Sequence, residues 1–268
     1  MRDSIAVAMS GGVDSAVAAW LLRQQGEQPV GITMRLFAPE DLAPGQGERC
    51  HILEDIQDAQ AVAAQLGIPH HALDLSVPFR EQVMEPFVRA YEQGRTPNPC
   101  VTCNRTIKFG ALLEAAGQLG CGRLATGHYA RTERDAGSGR ILLKRAVHPE
   151  KDQSYVLWSL SQAQLERVCL PLGGLSKEEI RAIAEEQGLV SARRRDSQDI
   201  CFVPDGDYAA FLCHHTGRTY PPGPFCDPEG KVLGVHEGII HYTVGQRRGL
   251  KLSSNQGRSE EHTSELQS

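Results

Sequence analysis

The chain has 268 residues, 40% hydrophobic and 23% charged, with a formal net charge of −5. At roughly 150 residues per domain this is one large domain plus part of another, with enough apolar residues for a true core, which excludes a disordered or low-complexity chain. No apolar run reaches the ~18 residues of a membrane span, and the acidic balance excludes binding nucleic acid through a global positive field, so any RNA contact must use local basic patches.

Residues 1–9 carry Arg2 and Asp3 and then an apolar run too short for a secretory signal, which predicts a cytoplasmic protein. That run, 5–9, reads as a buried strand ending in Ser10-Gly11-Gly12. Val13, Val17, Trp20 and Leu21 then recur at helical spacing as far as Gly26. A second strand is expected at 30–37, a helix at 52–66 ended by Gly67, a third strand at 70–75 and a helix at 79–93. A helix at 107–119 and a strand at 123–128 continue the alternation. This pattern predicts an α/β fold, a Rossmann-like parallel sheet with helices on both faces. Helices are expected next at 162–168 and 177–187, the latter opened by the capping box Ser176 and Glu179. From about Pro204 turn residues crowd around β-like runs at 232–235 and 239–244, the start of a small β-rich unit. The expected division is a catalytic domain at 1–204 and a β-rich domain beginning at 205–257. Residues 258–268 (RSEEHTSELQS) match a translated sequencing adapter and are set apart from the fold. They hold one Arg and three Glu, so the remainder has a formal net charge of −3.

Ser10-Gly11-Gly12-Val13-Asp14-Ser15, between a buried strand and a helix, is the most specific chemical signal. Two glycines let successive N–H groups converge, the helix N-terminus adds partial positive charge, and the hydroxyls add donors, which together make an anion cradle. It lacks the lysine of the Walker loop and the spacing of the dinucleotide fingerprint. The plainer reading is a tight turn with Ser10 as helix cap. Asp14 beside a polyphosphate makes sense if it holds a magnesium ion or orients a donor.

Eight cysteines stand at 50, 100, 103, 121, 169, 201, 213 and 226, and without an export signal a disulfide framework is not expected. Cys103 follows the rigid Pro97-Asn98-Pro99 turn near a helix start, where the dipole is expected to lower its thiol pKa, making it a candidate nucleophile. Cys201 is expected on a short β-like stretch beside Arg193-Arg194-Arg195, whose charge would favour a thiolate or persulfide. Cys100-x-x-Cys103 is half of a zinc pattern, but no second C-x-x-C occurs. A cluster ligated by Cys100, Cys103 and Cys201, a [4Fe-4S] centre with an open iron position, is the alternative.

The hexapeptide resembles the PP-loop ATP pyrophosphatases. Further motifs are Gly94-Arg95-Thr96-Pro97-Asn98-Pro99-Cys100-Val101-Thr102-Cys103-Asn104, Ile107-Lys108-Phe109, Ala125-Thr126-Gly127-His128-Tyr129, Lys151-Asp152-Gln153-Ser154-Tyr155 and Asp196-Ser197-Gln198-Asp199-Ile200-Cys201-Phe202. Together they resemble the bacterial tRNA-specific 2-thiouridylases over about residues 5–250. The resemblance implies adenylation of the uracil C2 oxygen of a wobble uridine using ATP and Mg2+, then sulfur transfer, with AMP and pyrophosphate released. It implies ATP binding by Ala8, Met9, Ser10, Gly11, Gly12, Val13, Asp14, Ser15, Met34 and Gly127. Cys201 would carry the persulfide and Cys103 would become disulfide-linked to it. Asn98, Pro99, Cys100, His128, Lys151, Asp152 and Gln153 would meet tRNA, helped by the seven basic against three acidic residues of 123–151. A sulfur-carrier protein or cysteine desulfurase is the implied donor. In that family the chain continues into more of the β-rich unit and a C-terminal β-barrel, so a truncated ATP- and RNA-binding remnant is a rival reading. Amidation of a nucleotide and argininosuccinate formation are the rival chemistries, and neither needs a cysteine pair.

Overall fold

The computed structural model describes residues 4–42, 52–192, 194, 200–204, 206–250 and 252. Cys50, Arg193, Arg195, residues 196–199 and 258–268 lie outside the described residues.

In chain order the strands are β1 (Ser4–Ala8), β2 (Pro29–Arg35), β3 (His70–Asp74), β4 (Cys121–Ala125), β5 (Ala130–Arg134), β6 (Ile141–Arg145), β7 (Val168–Cys169), β8 (Gly223–Cys226) and β9 (Val232–His236). β3-β2-β1-β4-β7 form one parallel sheet in that order. The order reverses beside β1, so the crevice beyond the C-terminal ends of β1 and β4 is the topological switch point where such sheets bind ligands.

The helices are α1 (Val13–Gln24), α2 (Ile52–Leu66), α5 (Gln162–Leu165), α6 (Lys177–Glu186) and α7 (Tyr208–Thr216), with two composite runs between α2 and α5. α3 is α-helical over Ser76–Phe79, π-helical over Arg80–Met84 and α-helical over Glu85–Glu92. α4 is α-helical over Pro99–Cys103, π-helical over Asn104–Leu112 and α-helical over Leu113–Gln118. The π turn of α3 ends two residues before Pro86, which can neither donate a helical hydrogen bond nor tolerate a normal preceding turn.

The period-2 alternation of β1 decides the layers. Ile5 and Val7 face α1, α2 and α6, packing with Val17, Leu22, Val62, Leu66 and Ile180. Ala6 faces the other way, joining Ile32, Leu124 and the α4 residues Phe109 and Leu112. A third cluster joins Phe79 and Phe87 of α3 to Phe202 and to Phe211 of α7, with Phe202 centred 5.3 Å from Phe87 and 5.1 Å from Phe211. At roughly 1.5–3 kcal/mol per buried aromatic side chain, this cluster anchors the segment that carries Cys201.

Four expectations are corrected. α4 begins at Pro99, eight positions before the expected 107, because Asn98 Oδ1 accepts from Cys100 N at 3.0 Å and Pro99 suits a first helical position. The expected helix at 162–168 ends at Leu165, and Val168–Cys169 pairs with Leu124 and Ala125 as an edge strand. The expected strand at 123–128 stops at Ala125, and an unexpected antiparallel hairpin, β5–β6, follows. The run 239–244 is not a strand but begins with a 3-10 turn, Ile239–His241, after Gly238 at φ +131.

Candidate active site

The loop after β1 closes on itself. Ser15 Oγ donates to Gly12 O at 3.1 Å and accepts from Ser10 N at 3.2 Å. The helix cap is Gly12, not Ser10, and it supplies no side-chain cap. The N-terminus of α1 therefore keeps its partial positive charge for an anion. Gly11 sits at φ +73, and a Cβ there would lie 2.7 Å from Asp55 O, so only glycine fits between the loop and α2. Gly127, just past β4, approaches as closely: its Cβ would lie 3.0 Å from Asp14 C and Ser15 N. Ala8 and Met34 lie at the same end of neighbouring strands, both half-buried, and Met9 is buried in the core below the loop.

Asp14 is engaged by two donors. Its Oδ1 accepts from Lys177 Nζ at 2.7 Å and from Tyr129 Oη at 2.7 Å. Lys177 is 7% exposed, and its ammonium lies 5.9 Å from the Tyr129 ring centroid. The cation that the loop lacks in sequence thus arrives from the first turn of α6. Its signal was legible: a lysine at the first position of a helix opposes the dipole, and Ser176 and Glu179 form the expected capping box around it.

Arg194 is committed to Asp55 and Asp58 of α2, and its Nη1 lies 3.1 Å from the position of a Gly11 Cβ. This corrects the expectation that the basic run would lower the Cys201 thiol. Cys201 lies in a turn, not a strand, and burial pushes its thiol well up, with Cys103 and Cys100 adding to the rise. The residue itself retains exposed surface. Cys103 is corrected likewise. Burial pushes its thiol up to about 11, Lys108 opposes this and Cys100 adds to it. Desolvation outweighs the helix dipole because Cys103 lies a full turn inside α4 and is 8% exposed. Cys100, one turn earlier, is exposed beside exposed Asn98, while Pro99 between them is buried.

Lys108 acts on Cys103 and Cys201 and also helps lower His128. It lies five residues after Cys103 along the π segment, where i to i+5 bonding stacks such residues. His128 is buried, its Nδ1 is 2.7 Å from Thr126 Oγ1, and burial pulls its pKa well below 6.5. It is a neutral interior imidazole and offers no charge to an RNA phosphate. Asp152 accepts from Ala146 N and Ser154 Oγ, both at 2.7 Å. Gln153 exchanges two bonds with the Tyr129 backbone. These two side chains tie the Lys151 turn to the hairpin and to Tyr129, while Lys151 itself is exposed. Sequence reasoning also missed Asn104, directly after Cys103, whose buried Nδ2 donates to Val156 O at 3.3 Å and whose Oδ1 has no partner. Among the described residues no three His, Cys, Asp or Glu side chains converge as a metal site; Cys100, Cys103 and Cys201 as placed do not fit an iron–sulfur cluster.

A family profile described as "tRNA methyl transferase HUP domain" matches residues 3–205, and one described as "tRNA methyl transferase PRC-barrel domain" matches 209–260. The chain is 51% identical over 256 residues to the tRNA-specific 2-thiouridylase MnmA 2 of Thermoanaerobacter sp. (strain X514), covering 95% of this chain and 70% of that protein. It is 45% identical over 253 residues to the tRNA-specific 2-thiouridylase MnmA of Clostridioides difficile (strain 630), covering 94% and 70%. Among solved structures, a 4-thiouridine synthetase–RNA complex with bound ATP shares 20% identity over 76% of this chain and 46% of that one, with a TM-score of 0.48. The matched profile and the extent of identity make the chain a member of the tRNA-specific 2-thiouridylase family.

Proposed function

We propose that the chain makes 2-thiouridine at the wobble position of tRNA at the expense of ATP. The observation that carries this reading is the continuity between a phosphate loop and a cysteine pair. Gly127 packs on Asp14 and Ser15, His128 follows it, and Lys108 acts on His128 and on both Cys103 and Cys201. A methyl transfer, which the profile descriptions mention, needs neither a phosphate loop nor paired thiols.

In this reading Ser10 to Ser15 hold the ATP phosphates, with Ala8, Met9, Met34 and Gly127 around the nucleotide. Magnesium would travel with the polyphosphate, because Asp14 Oδ1 is engaged by Lys177 and Tyr129. The uracil C2 oxygen attacks the α-phosphorus and pyrophosphate leaves, converting a poor leaving oxygen into AMP. The terminal sulfur of a Cys201 persulfide attacks C2 and AMP departs, leaving C2 joined to Cys201 through two sulfurs. Cys103 then attacks the Cys201 sulfur: the S–S bond to the substrate breaks, a Cys103–Cys201 disulfide forms, and the electron pair stays on the sulfur retained by the base. A thiol reductant restores both cysteines, and a sulfur carrier or desulfurase reloads Cys201. Asn98 and Cys100 face the RNA at the start of α4 with Pro99 buried between them, and Lys151 meets it on the turn that Asp152 and Gln153 hold, backed by the interior His128. Extruding an anticodon-loop base costs only a few kcal/mol. Residues 1–204 form the catalytic unit and 205–257 begin a β-rich unit in this reading, and the protein works in the cytoplasm; among the described residues no helix is long and apolar enough to cross a membrane.

The test is to incubate the chain with ATP, Mg2+, a sulfur donor and tRNA transcripts, then look for 2-thiouridine by mass spectrometry and for pyrophosphate. Thiolated tRNA that disappears in Cys103→Ser and in Cys201→Ser supports the proposal. Absence of both products from folded wild-type chain overturns it.

A further inference from the structure

The β5–β6 hairpin and the strands β4 and β7 enclose a cleft of about 390 Å³ lined by none of the phosphate-loop residues. Arg123, Arg131 and Lys144 line it against a single carboxylate, Glu133. Arg123 is matched by Glu27 at 2.8 Å, and Lys144 by Glu133. Arg131 has no carboxylate partner among the described residues; its Nε donates to Arg145 O at 2.9 Å. Gly173 approaches the base of this side chain closely, since a Cβ on Gly173 would lie 1.9 Å from Ala130 O and 2.6 Å from Arg131 Cγ. The turn after β7 thus presses on the root of this side chain.

A guanidinium whose Nε is held by a backbone carbonyl keeps its two terminal nitrogens free to form a fork for a tetrahedral oxyanion. The cleft holds no aromatic ring on which a base could stack, so it suits a phosphate without its base. Cross-strand pairing sets Arg131 opposite Lys144 on one face of the hairpin, whereas Arg134 and Arg145 occupy the other face, bridged to Glu166 and Asp152. We infer that this cleft is a phosphate-binding site, with Arg131 as its principal ligand and Lys144 beside it, that takes a backbone phosphate of the RNA substrate. The choice of RNA rests on the function proposed above; a free phosphate would satisfy the same groups.

The experiment uses the full chain with its ATP site saturated by a non-hydrolysable analogue. Two probes are titrated: an anticodon stem–loop RNA with uridine at the wobble position, and inorganic phosphate. In Arg131→Met the RNA affinity is expected to fall about 10-fold and the slope of log Kd against log salt to drop by about one. ATP affinity and Tm should stay unchanged. Arg131→Lys should fall between, because it keeps the charge and loses the fork. Arg140→Met, at the hairpin tip and outside the cleft, should change affinity less than about twofold. Loss of inorganic-phosphate binding with RNA affinity intact overturns the RNA assignment, and unchanged binding of both probes overturns the site. If wild-type chain fails to bind RNA, the proposed function falls, while the phosphate titration still decides the cleft.

Discussion

Lys177 Nζ lies 2.7 Å from Asp14 Oδ1, joining two residues 163 positions apart across the end of the sheet. The pair faces the anion cradle, with α1 beginning at Val13 and α6 beginning at Lys177 itself. A buried ammonium shared between a carboxylate and an incoming polyphosphate keeps a partner in both states, which avoids the large penalty of an unpaired buried charge.

Lys177→Met is therefore expected to reduce pyrophosphate release by about 100-fold and to destabilise the fold by about 1–3 kcal/mol, the cost of leaving Asp14 with one donor fewer. Equilibrium ATP binding and pyrophosphate assays on folded protein check this. Asp14→Asn should abolish release while the fold persists. Normal release by either variant would show that the pair plays no part in handling phosphate.

Gly127→Ala places a methyl group about 3.0 Å from the Asp14 and Ser15 backbone. Because backbone cannot yield as a flexible side chain does, the loop must shift. ATP affinity is expected to drop at least about 10-fold, with a stability loss of about 1–3 kcal/mol. Isothermal titration and thermal melting separate the two effects; unaltered ATP affinity would contradict the close approach.

Burial raises the Cys103 thiol from 9.0 to about 11, so iodoacetamide alkylation of Cys103 in the folded chain should climb through pH 11 rather than pH 9. Between those values the unfolded chain binds fewer protons at this site than the folded one, so stability falls as pH rises, by roughly 2 kcal/mol over the interval. Lys108→Met should move the alkylation profile higher, since Lys108 holds the thiolate down. A half-reactivity near pH 9 in the folded protein would refute the burial argument.

His128 titrates in the opposite sense. Its folded pKa lies well below 6.5 because burial disfavours the imidazolium, so below pH 6.5 the unfolded chain takes up a proton that the folded chain refuses. Stability should decline as pH falls from 6.5, and the decline should be shallower in His128→Asn. Urea unfolding at pH 7.5, 6.0 and 5.0 tests this; parallel curves for both proteins would remove the assignment.

Much of the central fold was legible because its signals are local. The alternation of apolar strand and amphipathic helix placed β1, α1, α2, β3 and α6 within a residue or two of their observed bounds, and Gly11, observed at φ +73, marked the tight loop between β1 and α1. The start of α4 was also written locally, in Asn98 as cap and Pro99 as first residue, and was misread as a turn because the apolar spacing begins only at Ile107. The strand β7 was not legible: two residues carry no period, and only pairing with Leu124 and Ala125 makes them a strand.

The sequence by itself determined the chemistry on offer: a phosphate loop without its own lysine, and thiols at 100, 103 and 201 in recognisable company. Tertiary structure alone decided how those groups behave. Lys177 supplies the missing cation because α6 packs beside α1, a fact no spacing contains. Packing against the cluster of Phe79, Phe87, Phe202 and Phe211 takes Cys103 away from water and sets Cys201, still exposed, beside Phe202; desolvation raises both thiols and overrides the dipole and charge that local sequence suggested. Residue identity is local, whereas burial and charge partners belong to the packed chain, and the latter set the pKa.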